Sequence, residues 1–226
     1  MIQSHLVAST RSQVRLAVVA LLASLALGAT LDIARDATPP PSPRFDPPAG
    51  ALLADSFRSR RLEGWRPDRD GVWTVRRGVL RADLPDRRQE HSFLFAGDST
   101  WTDVTVDLDV CGMRGVDKGV VVRVTNERGL GLDLRGPGYQ DLRMNLNEFP
   151  MGHAAIENAN GVWHHVRIVM QGNRCRVQID GGELIDRTIS RRLPPRGGIA
   201  LAAYTGGVGE CTVYFDNVIV APLPRR

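Results

Sequence analysis

Apolar and polar residues alternate along much of the chain beyond residue 51, and this pattern is the strongest constraint on the fold. In the clearest run, apolar residues occupy every second position from Val104 to Val110, with Asp107 and Asp109 among the polar residues between them. Strands with one buried face show this period of two, because successive side chains point to opposite faces. The alternation recurs at residues 166–168 and 177–179. The pattern predicts half-buried β-strands.

Turn-forming residues divide the chain at short intervals and indicate antiparallel strands. The sequence contains 23 Gly and 14 Pro, and signals such as Gly136-Pro137-Gly138 and Gly181-Gly182 separate the apolar runs. The best helical candidate, residues 151–159, is interpreted as a loop. About a dozen strands in ~170 residues exceed the number in an immunoglobulin-type domain. We therefore predict an all-β fold, a two-sheet antiparallel jelly-roll sandwich.

The first 28 residues are typical of a secretory signal peptide. Arg11 and Arg15 precede an uncharged apolar run from Leu16 to Ala29, and Ala26-Leu27-Gly28 places small residues where signal peptidases cleave. This run is shorter than the ~20 residues that span a bilayer. The alternative is an uncleaved membrane anchor, since the residues after the run extend it. Both interpretations predict an exported protein that is secreted, periplasmic or held at the cell surface.

A proline-rich segment separates this leader from the β-rich region. Pro39-Pro40-Pro41 and Pro47-Pro48 lack the N–H groups that strand pairing requires, so they favour an extended chain. The expected organisation is a linker over residues 29–50, a jelly-roll domain over residues 51–222 and a short tail at residues 223–226.

The net charge excludes a typical nucleic-acid partner. The formal charge at pH 7 is +4, and it falls to +2 when Arg11 and Arg15 leave with the signal peptide. Nucleic-acid-binding domains carry much stronger basic patches. Contact with a membrane is expected only through an uncleaved N-terminal segment.

Short motifs along the chain resemble, in order, those of a known group of domains. The series consists of Asp55-Ser56-Phe57, Trp73-Thr74-Val75, Gly119-Val120-Val121-Val122-Arg123, Gly161-Val162-Trp163-His164, Val177-Gln178-Ile179-Asp180-Gly181 and Tyr214-Phe215-Asp216-Asn217-Val218. It resembles the concanavalin A-like lectin and glucanase jelly rolls of the laminin G-like and 3-keto-disaccharide hydrolase type. The resemblance implies the fold and leaves the activity open, because lectins, glucanases and adhesive domains share this scaffold.

Catalytic pairs on this scaffold have a recognisable spacing. Its glucanases carry carboxylates on alternate residues of one strand, as in Glu-x-Asp-x-Glu. The nearest match, Asp107-Leu108-Asp109, has no glutamate and is interpreted as a solvated outer face. If the chain is a hydrolase, as the resemblance implies for one branch of the group, its candidate catalytic residues are Asp133, Glu148 and His153.

The middle of the chain predicts a polar sheet face. If the apolar residues of three consecutive strands point inward, a set of polar residues points outward: Arg123, Asp133, Arg135, Arg143, Asn145 and Asn147. Such planar hydrogen-bonding groups engage sugar hydroxyls, and Tyr139 or Phe149 offers a ring to stack on a sugar. The alternative is an ordinary solvated face. The resemblance favours binding, because this part of the chain contributes to the concave face of related domains.

No cofactor or metal site is predicted from the motifs. His164 and His165 are adjacent on a strand and therefore point to opposite faces, which prevents joint chelation. Calcium stays open, since some laminin G-like domains use it and four residues offer suitable oxygens: Asp117, Asp133, Asn145 and Asn147.

Three functional hypotheses follow from these observations. The favoured one is an exported, non-catalytic module that binds carbohydrate or another cell-surface polymer, because it fits both the polar face and the missing acid pair. The first alternative is an enzyme that resembles glycoside or 3-keto-disaccharide hydrolases. The second alternative is a structural or adhesive cell-surface protein.

Overall fold

The computed structural model describes residues 45–85, 87–147, 149–189 and 192–223. The expected signal peptide, most of the linker and Glu148 lie outside the described residues. Every regular element in the described part is a β-strand. Within these residues there is no apolar helix of membrane-spanning length.

Fifteen strands form the described part of the fold. In chain order they are β1 (Leu53–Asp55), β2 (Trp65–Pro67), β3 (Trp73–Arg76), β4 (Val79–Leu84), β5 (His91–Ala96), β6 (Val104–Arg114), β7 (Asp117–Thr125), β8 (Arg128–Arg135), β9 (Asp141–Leu146), β10 (Phe149–Ala155), β11 (Trp163–Gln171), β12 (Arg174–Ile179), β13 (Gly182–Thr188), β14 (Gly198–Tyr204) and β15 (Cys211–Pro222).

The strands form two antiparallel sheets, which confirms the predicted sandwich. The back sheet has eight strands in the order β13-β12-β11-β6-β15-β4-β3, with β1 beside β15. The front sheet has seven strands in the order β10-β9-β8-β7-β14-β5-β2. The count exceeds the predicted dozen because short strands such as β1 and β2, each of three residues, were not recognised in the sequence.

The alternating residues form the core between the sheets. Leu108 of the back sheet and Leu132 and Met144 of the front sheet are fully buried. Burial of such a side chain contributes roughly 1.5–3 kcal/mol, so these residues fix which face of each strand points inward. The residues between them on each strand therefore point to the outer surfaces of the sandwich.

The interpretation of residues 151–159 as a loop is wrong over its first half. Residues Phe149–Ala155 form β10, an edge strand paired with β9. A register shift between Pro150 and Gly152 interrupts the alternation. This bulge hides the period of two from a sequence pattern, because the residues on its two sides fall out of phase.

Candidate functional site

The outer surface of the front sheet collects most of the predicted polar residues, and we call it the front face. Its polar part is formed by Asp117 on β7, Asp133 and Arg135 on β8, and Asp141, Arg143 and Asn145 on β9. In the strand register, Asp133 stands between Gly119 on one side and Arg143 on the other. The predicted residues Asp133, Arg135, Arg143 and Asn145 therefore lie together.

Asp133 is the central carboxyl of this surface. It accepts a hydrogen bond of 2.5 Å from Nδ2 of Asn145. The side chain reaches solvent, yet burial raises its pKa to about 7, and the nearby Asp117 raises it further.

Arg135 orders the turn at one end of the face. Its guanidinium donates paired hydrogen bonds of 2.7 and 2.6 Å to the two carboxylate oxygens of Asp141. The same guanidinium lies 4.1 Å from the ring centroid of Tyr139, which is 59% exposed. One side of this ring is therefore held by a cation, and its exposed surface is available for stacking.

The positive charge of the Arg143 guanidinium is not balanced by an ion pair with any described residue. Among the described residues it has no hydrogen-bond or ion-pair partner. Its charge opposes the rise in the pKa values of Asp133 and Asp117. His153 stands opposite Arg143 on the edge strand β10 and is exposed. The polar part of the face thus ends in the guanidinium of Arg143, which has no partner among the described residues, and the imidazole of His153.

Sequence reasoning missed an aromatic part of the front face. Phe93 and Phe95 alternate with the buried Leu94 on β5 and point outward, with ring centroids 5.9 Å apart. His91 lies 5.4 Å from Phe93, and the guanidinium of Arg66 covers Phe95 at 4.5 Å. The signal was present as Phe93-Leu94-Phe95-Ala96, but an unbroken apolar run conceals the period of two.

Small residues separate the aromatic part from the polar part. Along one line across the strands, Phe93 pairs with Ala202, Ala202 with Gly119, and Gly119 with Asp133. Because the two middle residues carry little or no side chain, the centre of the face lies lower than its two sides. A ligand on this surface can contact an aromatic ring and a carboxyl at once.

Gly119 and Gly131 of the front face lack a side chain for different reasons. A Cβ at Gly119 would lie 2.1 Å from the carbonyl oxygen of Leu132, so the close approach of β7 and β8 requires glycine there. A Cβ at Gly131 would lie 3.8 Å from its nearest heavy atom, the carbonyl oxygen of Asn145. Packing therefore permits a side chain at Gly131, and its absence leaves space in front of Asp133.

The expected position of Arg123 on this face is wrong. Its strand bulges between Val122 and Thr125, and Arg123 adopts a φ of 56°, so the alternation breaks at this residue. The side chain is 2% exposed and donates hydrogen bonds to the carbonyl oxygens of Pro194, Pro195 and Gly172. It also contacts the carboxylate of Asp103 at 3.1 Å. Arg123 holds loops together at one end of the sandwich.

The remaining predicted residues lie at the edge of the region. Asn147 is exposed in the turn after β9, where its φ of 48° suits asparagine. Phe149 opens β10 and is 62% exposed. Glu148 belongs to the positions that the structure does not describe.

Asp107 and Asp109 lie on the outer surface of the back sheet, away from the front face. Asp107 receives a hydrogen bond of 2.9 Å from Arg167. Asp109 is buried rather than solvated, and it contacts Nδ1 of His165 at 2.8 Å. Hydrogen bonds to both carboxylates raise the pKa of His165 to about 9. The pair belongs to an ion network of the back sheet.

The described residues contain no group of three or more His, Cys, Asp or Glu side chains arranged to hold a metal ion. His164 contacts Asp180 at 2.7 Å, whereas His165 contacts Asp109, as expected for neighbours on opposite faces. A small pocket of about 140 Å³ lies at the edges of the two sheets, where Met151 of β10 and Leu184 of β13 line it. It is separate from the centre of the front face.

Residues 54–221 match the 3-keto-alpha-glucoside-1,2-lyase-like domain family. The chain belongs to this family. The match confirms the resemblance seen in the ordered motifs and spans both sheets, including the whole front face. A search of curated proteins finds no match.

Solved structures with similar folds include carbohydrate-binding proteins. Carbohydrate-binding module CBM66 from Bacillus subtilis has 17% identity and a TM-score of 0.59, over 70% of this chain and 95% of that one. A putative glycosyl hydrolase from Parabacteroides distasonis has 19% identity and a TM-score of 0.56, over 75% and 98%. The exoplasmic/lumenal domain of VIP36, bound to Ca2+ and Man3GlcNAc, has 12% identity and a TM-score of 0.62, over 78% and 92%. At these identities the similarity shows the fold alone.

Proposed function

We propose that the front face binds a carbohydrate. The observation that carries this proposal is the line from Phe93 through Ala202 and Gly119 to Asp133, which sets an aromatic ring and a hydrogen-bonding group on opposite sides of a low centre. Sugars combine hydroxyl groups with apolar ring faces, so they are complementary to such a surface.

Two acceptor atoms beside Asp133 add support. Oδ1 of Asp117 and Oδ1 of Asn145 are shielded from solvent and receive no hydrogen bond from any described residue. Buried acceptors without donors are unfavourable, by about 1–3 kcal/mol each. Sugar hydroxyls supply donors of the kind that these two acceptors lack.

The carbohydrate-binding names of two fold neighbours, CBM66 and the VIP36 domain, also support the proposal. We further propose that the protein is exported, on the strength of the leader predicted in residues 1–28. Under this proposal the protein is secreted, periplasmic or at the cell surface.

A glycan array with the purified protein tests binding. We expect one class of glycan to bind, and we expect Phe93→Ala and Asp133→Asn each to weaken binding about tenfold to a hundredfold, as the loss of about 1–3 kcal/mol implies. Asp107→Asn is the matched control, because this carboxylate lies on the back sheet. Absence of binding to every glycan would favour the structural or adhesive alternative.

A second candidate function is cleavage of the bound sugar, the reaction that the family name describes. One specific feature favours it: burial raises the pKa of Asp133 to about 7, in the middle of the proposed sugar site. Groups with such values are suited to proton transfer. The expectation of a non-catalytic module rests on the missing Glu-x-Asp-x-Glu spacing, which concerns one catalytic arrangement only.

A further inference from the structure

The small pocket between β10 and β13 has a chemistry different from that of the front face, and we call it the edge pocket. Its volume is about 140 Å³. A cavity of about 150 Å³ holds a benzene ring, so the edge pocket has room for one six-membered ring. Four of its lining side chains are apolar and three are polar: Met144, Met151, Leu184 and Ile185, and His153, Asp186 and Arg187.

The apolar part of the pocket is supported by the core. Met144 is fully buried and Ile185 is buried, so both are held in place by the packing of the sandwich. Met151 and Leu184 are partly buried and pack against the same core from the two sheet edges. These side chains offer a firm surface for the apolar face of a ring.

The bulge in β10 positions the guanidinium of Arg187 beside the pocket. A Cβ at Gly152 would lie 3.3 Å from Cζ of Arg187 and 3.4 Å from each terminal nitrogen, so the guanidinium lies against the backbone of this glycine. Nη1 donates a hydrogen bond of 2.8 Å to the carbonyl oxygen of Met151. This contact joins the edges of the two sheets and fixes the guanidinium between them.

The other side of the Arg187 guanidinium, formed by Nε and Nη2, has no partner among the described residues. Arg135 uses the same two nitrogens to bind the carboxylate of Asp141. Arg174 uses them to bind the carboxylate of Asp186. The planar pair of N–H groups matches the two oxygens of a carboxylate. Arg187 therefore presents in the edge pocket a group that twice binds a carboxylate elsewhere in this protein.

The charges around the edge pocket favour an anion. Asp186 is the one acidic residue in the lining, and both of its oxygens accept hydrogen bonds from Arg174. The charge of Arg187 is not balanced by an ion pair with any residue that the structure describes. His153 adds a hydrogen-bonding imidazole, and Arg143 stands opposite it on β9. A carboxylate here meets positive charge that the protein leaves unpaired.

His153 connects the edge pocket with the front face. The line of paired residues that crosses the face continues from Asp133 to Arg143 and from Arg143 to His153. His153 also lines the pocket. A glycan that lies across the strands therefore reaches the edge pocket at this end of the face.

We infer that the edge pocket binds a sugar unit that carries a carboxylate, as one unit of the glycan on the front face. The carboxylate accepts hydrogen bonds from Nε and Nη2 of Arg187, and the ring packs against Met151 and Leu184. This inference rests on the proposed binding of a carbohydrate by the front face. It names the substrate class of that site as an acidic glycan.

The test compares methyl β-D-glucuronoside with methyl β-D-glucoside, which differ only in the carboxylate at C6. Amide shifts during titration locate the probe and give its affinity. We expect shifts at Met151, Gly152 and Arg187, and an affinity for the glucuronoside at least about tenfold higher, as the paired charged hydrogen bonds imply. Equal affinities would overturn the inference. Equally tight binding of methyl β-D-glucoside 6-sulfate would overturn the choice of a carboxylate.

Substitutions of Arg187 test the recognition of the carboxylate. Arg187→Gln should lower the affinity for the glucuronoside about tenfold to a hundredfold and leave the affinity for the glucoside unchanged. Arg187→Lys keeps the charge and a donor for Met151 but lacks the paired N–H groups, so it should also bind more weakly. It provides the test if Arg187→Gln does not fold. Arg76→Gln, on β3 at the opposite edge of the back sheet, is the matched control and should bind as the wild type does. Wild-type affinity in a folded Arg187 variant would overturn the inference.

Phe93→Ala distinguishes this inference from the proposed function, because Phe93 lies at the other end of the front face. We expect this variant to bind array glycans more weakly and to bind the glucuronoside as the wild type does. Glycan binding on the front face without shifts in the edge pocket would overturn the inference and leave the proposed function standing. Shifts in the edge pocket without glycan binding on the front face would overturn the proposed function and leave the carboxylate site.

Discussion

Arg123 and Asp133 are both charged residues of the front sheet, and the sequence pattern places them on one face. The structure separates them completely. Arg123 is 2% exposed and is engaged by three carbonyl oxygens and one carboxylate. Asp133 reaches solvent, has one hydrogen bond and has its pKa raised by burial. Burial opposes the charge of both side chains and lowers the pKa of Arg123, but several hydrogen bonds compensate Arg123, whereas one hydrogen bond compensates Asp133.

This difference distinguishes a residue that stabilises the fold from a residue that binds a ligand. The protein supplies most of the hydrogen bonds of the buried Arg123 guanidinium, whose Nε alone has no partner among the described residues. The carboxyl of Asp133 lacks that compensation, so the fold alone does not account for it. Removal of the Arg123 charge should therefore lower the free energy of unfolding, whereas removal of the Asp133 charge should raise it.

The largest expected effect is the destabilisation of Arg123→Met. Loss of the guanidinium leaves three carbonyl oxygens without this donor and leaves Asp103 with the hydrogen bond from the Gly172 N–H, so the free energy of unfolding should fall by about 3–5 kcal/mol. Urea denaturation measures this change. Arg143→Met is the matched control and should cause a much smaller loss. A stable Arg123→Met protein with weakened sugar binding would restore Arg123 to the binding site.

The pattern of alternating residues was sufficient to predict the core and four polar residues of the front face. It failed at Arg123, because a bulge depends on how the partner strands and the loop at Pro194 and Pro195 meet, and local sequence does not show this. The aromatic part was missed because Phe93 and Phe95 flank buried Leu94 in one apolar run.

Pairings between distant strands also could not be predicted from the sequence. The contact of His165 with Asp109 joins β11 to β6, and the proximity of Asp117 to Asp133 depends on the register of β7 and β8. A raised pKa arises from such contacts and from burial, so it cannot be assigned before the fold is known.

Filling the open space in front of Asp133 should separate binding from stability. Gly131→Val places a side chain there whose Cβ makes only ordinary contacts, so sugar affinity should fall about tenfold or more, equivalent to about 1.4 kcal/mol, while the free energy of unfolding changes by less than about 1 kcal/mol. Calorimetric titration and urea denaturation give the two values. Gly182→Val, in a strand of the back sheet, should leave affinity unchanged. Equal affinity of both variants would exclude this space from the site.

The back sheet should show a pH dependence of its own. The folded pKa of His165, about 9, lies above the ordinary histidine value of 6.5. Its contribution is therefore complete below pH 6.5 and is lost as the pH rises through 9. The Tm of the wild type should fall by a few degrees more than that of His165→Gln between these two pH values. A matching fall in both proteins would remove His165 as the cause, and His153→Gln serves as the control.

The smallest effect on stability is expected for Tyr139→Ala. The exposed ring contributes only its contact with Arg135, so the free energy of unfolding should fall by less than about 1 kcal/mol. Sugar affinity should fall measurably, since one stacking surface is lost. Phe149→Ala is a comparison at the other exposed ring of the region. If Tyr139→Ala binds sugar as tightly as the wild type, Tyr139 lies outside the site.

The most direct test of the central claim is the stability of Asp133→Asn relative to the wild type as a function of pH. The folded pKa of about 7 lies above the ordinary aspartate value of 3.8, so ionisation of Asp133 lowers the stability of the wild type as the pH rises between these values. At pH 8, Asp133→Asn should be more stable than the wild type by on the order of 2–4 kcal/mol. This advantage should shrink toward pH 4. A variant that is less stable at pH 8, or a difference independent of pH, would show that Asp133 serves the fold and would contradict the account.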